Sequence, residues 1–244
     1  MFPKLQNIIG GLVDILYPKA CLVCKKRLTD NSVDNLVCFE CWGKIKRNLP
    51  PFCHRCGRQL SRKNLTKSIC PACVKTTLHF DRAFSPCVYE GAVKELIHEF
   101  KYKDKDYLGS TLSKLMIDFI KEYELPMDII DFIIPVPLHK VRFREREYNQ
   151  AQILSNHIGR EFKRTVSGDI LIRNRYTKQQ TEIEPEKRLS NVKNSFSVMQ
   201  NGVFNGKNLL LIDDVLTTGS TVSEAAYALK NSGANIVFVL TIAS

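Results

Sequence analysis

Residues 209–221 read LLLIDDVLTTGST. Residues 209–212 form a short apolar run that is typical of a buried parallel strand, and two adjacent carboxylates, Asp213 and Asp214, follow it. A glycine among small hydroxylated residues then opens an amphipathic helix. The backbone N–H groups of such a loop can bind a phosphate, and carboxylates beside it can accept hydrogen bonds from ribose hydroxyls. The stretch therefore predicts a site for a sugar that carries a 5′-phosphate.

This stretch closely resembles the phosphoribosyl pyrophosphate (PRPP) motif of type I phosphoribosyltransferases, in which an apolar strand precedes Asp-Asp and T-T-G-S/A-T. The resemblance implies that Asp213 and Asp214 are the catalytic carboxylates and hold the ribose hydroxyls. It implies PRPP binding by a set of eight residues: Asp213, Asp214, Val215, Thr217, Thr218, Gly219, Ser220 and Thr221. The alternative is an ordinary strand, turn and helix, with the two acids in the turn and Thr221 as the helix N-cap.

The length and composition set the class of protein. A chain of 244 residues with 44% hydrophobic and 25% charged residues is ordinary for a soluble globular protein of one large or two small domains. No apolar run reaches the roughly 18 residues of a membrane helix. Residues 1–17 predict an amphipathic helix without the features of a signal peptide, so we expect a cytoplasmic location. The formal charge of +11 favours nucleic acid or phosphorylated substrates as partners, without choosing between them.

Eight of the nine cysteines occur as four CxxC pairs that repeat after 32 residues: Cys21 and Cys24, Cys38 and Cys41, Cys53 and Cys56, Cys70 and Cys73. Two such pairs can complete a tetrahedral Cys₄ zinc site without an open position, so we predict a double zinc ribbon with one or two structural zinc ions. Consecutive and crossed pairings fit the repeat equally well, and a disulfide framework is the alternative. His54 is expected at the surface and Cys87 in the core.

Residues 1–78 carry 14 Lys and Arg against 4 Asp and Glu. Such a surface can contact single-stranded nucleic acid, with Phe39, Trp42 and Phe52 available for base stacking. The alternative is that these aromatic rings cover the small ribbon cores, and we favour that interpretation for the rings while nucleic-acid contact by the charges stays open.

From about residue 81 the pattern changes to alternating strands and helices. Strands are predicted at 83–89, 129–136, 169–172, 195–199, 209–212 and 235–241, and helices at 91–102, 107–123 and 148–162. This alternation predicts a doubly wound parallel sheet, with ligands bound beyond the carboxyl ends of the strands. The loop after Pro137 and the loop that follows Asp214 should therefore lie at the same edge.

The loop after Pro137 is basic, with Lys140, Arg142, Arg144 and Arg146 before the next helix. In type I phosphoribosyltransferases the loop in this position receives the pyrophosphate, so the resemblance makes Lys140 and Arg142 the pyrophosphate candidates. A solvated basic helix start is the alternative for Arg144 and Arg146.

The duplicated ribbon, the PVPL and N-Q-A segments around this loop, the later Q-T and the PRPP motif together resemble the ComF family of competence-associated proteins. The resemblance runs from about residue 18 to the C-terminus, and it has Gly where this chain has Glu147 and Glu182. It implies a role in DNA uptake and natural transformation, with partners that include PRPP, single-stranded DNA and other DNA-uptake proteins.

Residues 173–190 are a polar connection between two predicted strands. Type I enzymes close a mobile loop over the ligand in this position, which makes Gln180, Thr181 and Arg188 candidate lid residues, and a disordered linker is the alternative.

We predict three parts: an N-terminal helix (1–19), the double zinc ribbon (20–78) and a phosphoribosyltransferase-like domain with the type I fold (79–244). If the chain is an enzyme, it transfers the phosphoribosyl group of PRPP, with Mg²⁺, to a nitrogen acceptor and releases pyrophosphate. The alternative function is a non-catalytic module that binds single-stranded DNA and uses the site for a phosphorylated sugar or a DNA 5′-phosphate.

Overall fold

A computed structural model of the chain describes residues 19–61, 68–102, 104–174, 194–199 and 202–244. The predicted N-terminal helix of residues 1–17 lies outside these residues. The candidate lid residues Gln180, Thr181 and Arg188 also lie outside them. Among the described residues, no helix has the length and apolar character needed to cross a membrane.

The cysteine-rich region contains only short elements, because the chain between the CxxC pairs holds few apolar residues. Its described elements are β1 (Ser32–Val33), β2 (Val37–Cys38), α1 (Phe39–Gly43) and α2 (Pro71–Val74). β1 and β2 form a small antiparallel hairpin.

The remainder is an α/β domain with a five-stranded parallel sheet in the order β3-β9-β8-β4-β5. The strands of the domain are β3 (Arg82–Phe84), β4 (Phe132–Pro135), β5 (Thr165–Val166), β6 (Leu171–Arg173), β7 (Phe196–Val198), β8 (Asn208–Val215) and β9 (Ile236–Ala243). The helices are α3 (Gly91–Lys101), α4 (Leu108–Glu122), α5 (Lys140–Arg146), α6 (Gln150–Phe162) and α7 (Ser220–Asn231), with a 3₁₀ turn at Met127–Ile129. The predicted parallel sheet and α/β fold class are confirmed.

The central strand β8 sets the position of the candidate site. It pairs with β4 on one side, where Pro135 lies opposite Ile212, and with β9 on the other, where Asp213 lies opposite Thr241. Since all three strands run in the same direction, the chain segments that follow Pro135 and Asp213 leave the sheet at one edge. This is the arrangement that the sequence predicted.

The two faces of the sheet are covered by different elements. Leu210 and Ile212 of β8 point to the core that contains α3, α4 and part of α6, whereas Leu209 and Leu211 point to the core that contains α7. Each ribbon joins one of these cores, because Cys21 and Cys41 pack in the first and Cys53 and Cys73 pack in the second.

Two features differ from the prediction. The strands near residues 169–172 and 195–199 form, but β6 and β7 pair antiparallel with each other as a separate two-stranded sheet. The expected basic loop after Pro137 is mostly helix α5. Its start is capped by His139, whose side chain accepts a hydrogen bond from the backbone N–H of Val141, and it ends at Glu147 in the left-handed conformation.

Candidate functional site

The eight CxxC cysteines form two separate Cys₄ clusters. In each cluster the four sulfur atoms lie within 4.8 Å of one another, and the members are Cys21, Cys24, Cys38 and Cys41 in one and Cys53, Cys56, Cys70 and Cys73 in the other. The pairing is therefore consecutive, and the crossed arrangement does not occur.

The spacing of the sulfur atoms fits zinc. The Sγ atoms of Cys24 and Cys38 are 3.8 Å apart, and those of Cys56 and Cys70 are 3.7 Å apart. Four thiolates at zinc–sulfur distances of about 2.3 Å occupy a tetrahedron whose edges are about 3.8 Å. All nine cysteines are free thiols, so the alternative of a disulfide framework is wrong. The two clusters are consistent with two structural zinc sites.

Two further residues, His54 and Cys87, lie outside the two clusters. His54 is exposed and belongs to neither cluster. Cys87 is fully buried, as predicted, and burial raises the pKa of its thiol to about 11. A thiol in this state is a small apolar core group and a poor nucleophile.

A cavity of about 430 Å³ opens at the carboxyl edge of the sheet, between β4, β8, α3 and the start of α6. Its lining consists of apolar and aromatic residues, amides, cations and two acids: Tyr89, His98, Lys101, Tyr102, Val136, Pro137, Leu138, Arg142, Arg146, Asn149, Gln150, Ala151, Arg173, Asp213, Asp214, Val215, Thr217 and Thr221. Both acids of the central motif thus open into one space with several cations.

The two carboxylates of the motif have different environments. Asp214 is buried and makes an ion pair of 2.7 Å with Lys101 of α3. Among the described residues no ion pair with Asp213 is formed, and burial together with the charge of Asp214 raises the pKa of Asp213 to about 7. The backbone N–H of Asp214 donates to a carboxylate oxygen of Asp213 over 2.9 Å, which fixes the orientation of that side chain. The carboxyl group of Asp213 therefore changes its charge near neutral pH.

The cation of this pair comes from a helix that the sequence analysis did not assign to the site. Lys101 is the last residue of α3, and its ammonium group is largely removed from water. Burial by itself lowers the pKa of a lysine, but the carboxylates of Asp214 and Asp213 outweigh this effect and raise the pKa of Lys101. Lys101 therefore stays charged in the cavity.

The pyrophosphate candidates are separated by the turn of α5. Arg142 lines the cavity, whereas Lys140, at the start of the helix, is exposed and is not part of the lining. Arg146 lies one turn after Arg142 and also lines the cavity, where its guanidinium stacks over the ring of Tyr102 at 5.0 Å and donates to Gln150 over 3.2 Å. Arg144 is exposed. The helical period of α5 thus selects which arginines face the cavity.

The opposite wall contains Arg173 at the end of β6. Its guanidinium stacks on Phe196 of β7, and burial lowers its pKa while the charge of Asp213 opposes that shift. Four permanent cations, Lys101, Arg142, Arg146 and Arg173, therefore surround two carboxyl groups, so the cavity carries an excess of positive charge that suits a multiply charged anion.

The loop of the central motif is divided between two cavities. Thr217 and Thr221 line the larger cavity, while Thr218 and Gly219 line a second one of about 190 Å³ on the side of the zinc ribbon. Gly219 is the N-cap of α7 with a φ of 79°, a conformation that favours glycine. The hydroxyl groups of Thr218 and Ser220 are 2.7 Å apart. Ser220 is buried.

Sequence reasoning missed Lys101, Arg146 and Arg173 as site residues. Arg146 could have been found by assigning a helix to residues 140–146, because Arg142 and Arg146 then share a face. The other two depend on which helix and which hairpin the fold places beside β8, and no local pattern carries that information.

The backbone conformation of Glu147 accounts for the glycine that the family resemblance has at this position. Its φ of 63° lies in the left-handed region, where a residue with a Cβ atom is strained by roughly 1 to 2 kcal/mol. Glycine, which the resemblance has in this position, adopts the same conformation without that strain.

Comparisons with known proteins agree with both halves of the architecture. The double zinc ribbon domain matches residues 12–80, and the phosphoribosyl transferase domain matches residues 150–244. Three of the cavity cations, Lys101, Arg142 and Arg146, lie in the part of the chain between these two matches.

Curated relatives match nearly the whole chain. Competence protein F of Haemophilus influenzae is 29% identical over 226 residues, which are 91% of this chain and 96% of the relative. Competence protein ComFC of Bacillus subtilis (strain 168) is 29% identical over 245 residues, with 94% of this chain and 95% of the relative covered. Among solved structures, a purine phosphoribosyltransferase from Pyrococcus horikoshii Ot3 covers 55% of this chain and 71% of its own at 17% identity, and its TM-score of 0.33 is too low to support an inference.

Proposed function

We propose that this chain, which resembles the ComF/ComFC family in having a double zinc ribbon before a phosphoribosyltransferase domain, binds PRPP and acts in DNA uptake during natural competence. The observation that carries the first part is the joint opening of Asp213, Asp214 and two residues of the loop, Thr217 and Thr221, into one cavity that is also lined by four cations. The second part rests on the names of the relatives, both of which are competence proteins.

The arrangement of the cavity fits each part of PRPP. Asp213 and Asp214 accept hydrogen bonds from the two ribose hydroxyls, and the loop that opens α7 donates backbone N–H groups to the 5′-phosphate. Arg142 and Arg146 approach from α5 and neutralise the pyrophosphate. These are the roles that the family resemblance implies, with Arg146 in place of Lys140.

The ion pair between Lys101 and Asp214 gives the ribose site a second property. A ribose hydroxyl that donates to Asp214 competes with the lysine for the same carboxylate, so Lys101 is free to turn toward the anionic ligand when the sugar binds. The cost of separating the pair is offset by the phosphates, which replace the carboxylate as the partner of the ammonium group.

The donors in the cavity fit Mg²⁺ only together with a phosphorylated ligand. Asp213 and Asp214 are the carboxylates of the cavity lining, and one of them already pairs with a lysine. Mg²⁺ in such sites is held by one or two carboxylates, water and the oxygens of the ligand. When it is bound with PRPP, Mg²⁺ supplies positive charge to the leaving pyrophosphate.

If the chain catalyses transfer, displacement of pyrophosphate from C1 of the ribose by a nitrogen atom of the acceptor requires no covalent protein intermediate. The protein residues then act by orientation and by charge: the carboxylates hold the ribose, the loop holds its 5′-phosphate, and the arginines stabilise the leaving group.

The binding proposal is tested by calorimetry of the full-length protein with PRPP and Mg²⁺. We expect binding by the wild type and at least roughly a hundredfold loss when Asp213→Asn and Asp214→Asn are combined, since neutral amides replace both charged acceptors of the ribose hydroxyls. Asp131→Asn is the matched control. This carboxylate lies at the other edge of the sheet, where it accepts from the backbone N–H of Asn208 over 2.8 Å. Equal affinity of wild type and double variant would place the ligand elsewhere and refute the site.

Transfer is tested separately by release of pyrophosphate from PRPP in the presence of a panel of purine and pyrimidine bases and simple amines. Release that depends on one acceptor and is lost in the double variant supports an enzyme. Binding without release for the whole panel supports a protein that uses PRPP as a ligand.

A second function, binding of single-stranded DNA with the site used for a terminal 5′-phosphate, is favoured by the charge of the chain. In this function the four cations of the cavity and the basic zinc-ribbon region would contact the DNA backbone. Affinity for an oligonucleotide should then fall steeply as salt rises, and a 5′-phosphorylated oligonucleotide should compete with PRPP. Affinity that does not change with salt would refute this function.

A further inference from the structure

The second zinc ribbon lies directly behind the loop that the proposed function assigns to the 5′-phosphate. The cavity of about 190 Å³ between them is lined on one side by Cys56, Arg58 and Cys73 and on the other by Thr218 and Gly219. Two cysteines of a Cys₄ cluster and the phosphate loop therefore line the same cavity.

Arg58 connects the two parts. Its guanidinium donates to the backbone carbonyl of Leu216 over 2.9 Å, and the same nitrogen also donates to the carbonyl of Thr217. These are the two residues that lead into the loop. Because a guanidinium is planar and permanently charged, a contact with two successive carbonyl groups is stronger and more directional than a lysine contact would be.

The contact has a consequence for the N–H groups of the loop. In a planar trans peptide the carbonyl and the following N–H point in opposite directions. When Arg58 holds the carbonyls of Leu216 and Thr217 on the ribbon side, the N–H groups of Thr217 and Thr218 are turned away from the ribbon. A cation at the carbonyl end also polarises each peptide and makes its N–H a stronger donor.

Other contacts fix the same loop from behind. A Cβ atom added to Gly219 would lie 3.4 Å from Leu78 and 3.9 Å from Phe80, so the segment that leaves the ribbon packs closely under the glycine. The backbone N–H of His79 donates to the hydroxyl of Ser223 in the first turn of α7 over 3.0 Å. The end of the ribbon and the segment that follows it thus support both the loop and the helix start.

We propose that Arg58 of the second zinc ribbon is a positioning residue for the phosphate-binding loop, which it orients by holding the carbonyls of Leu216 and Thr217. The ribbon is then part of the ligand site, although none of its described residues lines the cavity that receives the sugar. The inference rests on the proposed function for the identity of the ligand, while the order of the loop can be measured without any ligand.

The repeat supplies a matched control. Lys26 occupies the position of Arg58 in the first ribbon, 32 residues earlier, and its carbonyl accepts from Cys21 over 2.8 Å as that of Arg58 accepts from Cys53 over 2.7 Å. We compare Arg58→Gln, Arg58→Lys and Lys26→Gln with the wild type, all as full-length protein with zinc content measured. Each variant should hold two zinc ions, since no ligand is changed.

The first measurement is the NMR order parameter of the loop amides at residues 217–219 without ligand. We expect about 0.85 in wild type and Lys26→Gln, as for rigid backbone, and a fall toward about 0.6 in Arg58→Gln. Unchanged values in Arg58→Gln with full zinc content would overturn the proposal.

The second measurement is the affinity for ribose 5-phosphate, PRPP and inorganic pyrophosphate. Arg58→Gln should lower the affinity for ribose 5-phosphate and for PRPP by the same factor, roughly tenfold or more. Its affinity for pyrophosphate should be unchanged. Arg58→Lys should restore part of the affinity. An equal loss for all three ligands would indicate general structural damage and overturn the positioning role. If the wild type binds no ribose phosphate, the proposed function fails, and the order parameters still decide whether Arg58 holds the loop.

Discussion

The two zinc ribbons share a sequence repeat and a cluster geometry, but they contact the α/β domain in different ways. The first ribbon docks on the helical face, where Asp34 accepts from the buried hydroxyl of Thr111 over 2.7 Å and Lys25 makes an ion pair of 3.0 Å with the buried Glu99. The second docks on the phosphate loop through Arg58. The metal ligands thus determine the fold of a ribbon, and residues outside the ligand set determine what the ribbon supports.

One pair of repeat positions shows how this difference arises. Lys25 and Gly57 are 32 residues apart and both have positive φ, 61° and 71°. A Cβ atom at Gly57 would lie 2.3 Å from the carbonyl oxygen of Ala83, so the second ribbon can approach β3 only with glycine there. The first ribbon carries at this position a lysine whose side chain donates to Glu99 over 3.0 Å.

The largest expected effect comes from breaking one cluster at a time. Cys56→Ser should remove the second zinc and weaken PRPP binding by roughly a hundredfold or more, because the ribbon behind the loop unfolds without metal. Cys24→Ser should remove the first zinc and lower the unfolding midpoint, with PRPP affinity within about threefold of wild type. Zinc analysis and calorimetry on the two variants check both statements, and equal losses of affinity would show that the two ribbons do not differ in this role.

The next effect concerns Asp213, a carboxyl group in the cavity that the second ribbon supports. Burial and Asp214 raise the pKa of Asp213 from its ordinary value of 3.8 to about 7. A carboxyl group whose pKa is higher in the folded than in the unfolded state destabilises the protein as it ionises. The wild type therefore loses stability as the pH rises toward 7. As the pH rises from 5.5 to 8, the free energy of unfolding of Asp213→Asn should gain on the order of 2 kcal/mol relative to that of the wild type, since each pKa unit is worth about 1.4 kcal/mol. Urea denaturation across this range checks it, and a difference that does not change with pH would contradict it.

The smallest effect is expected when an aspartate of the first ribbon, Asp34, is replaced by asparagine. Burial alone would raise the pKa of Asp34, but hydrogen bonds from Lys114 and Thr111 lower it. A carboxyl group whose pKa is lower in the folded than in the unfolded state stabilises the protein fully above its unfolded pKa. This stabilisation is lost only in acid, so the contribution of Asp34 to the free energy of unfolding is constant between pH 5.5 and 8. Asp34→Asn should therefore cost about 1 kcal/mol at every pH in this range and leave PRPP affinity unchanged. The same denaturation series measures it, and a cost that grows with pH would reverse the interpretation.

Much of the architecture could be predicted locally. The 32-residue repeat of CxxC pairs predicted two Cys₄ sites, because sulfur ligands in a tight turn chelate one metal whatever surrounds them. The apolar run at 209–212 followed by Asp213 and Asp214 predicted a central strand with acids at its carboxyl end, because strand burial and strand direction follow from a short pattern. The parallel sheet and the cluster composition are confirmed by the structure.

The prediction failed where the position of one segment depends on another. Residues 140–146 were predicted as a loop, because four cations at alternate positions obscure the apolar period that would indicate a helix. The cap at His139 and the left-handed Glu147 fix the ends of this helix. The strands β6 and β7 were not predicted to form a separate pair, since strand patterns do not specify the partner.

By itself, the sequence determined which residues carry the chemistry: the cysteines by their spacing, and the acids and the glycine loop by their order along one strand and helix. Only the tertiary structure decided which cations meet the acids and which ribbon supports the loop. Lys101 reaches Asp214 across 113 positions of the chain, and Arg58 reaches Leu216 across 158. Ligand spacing and strand order are local properties of the backbone, whereas contacts over such separations exist only after two sheet faces have been covered by particular elements.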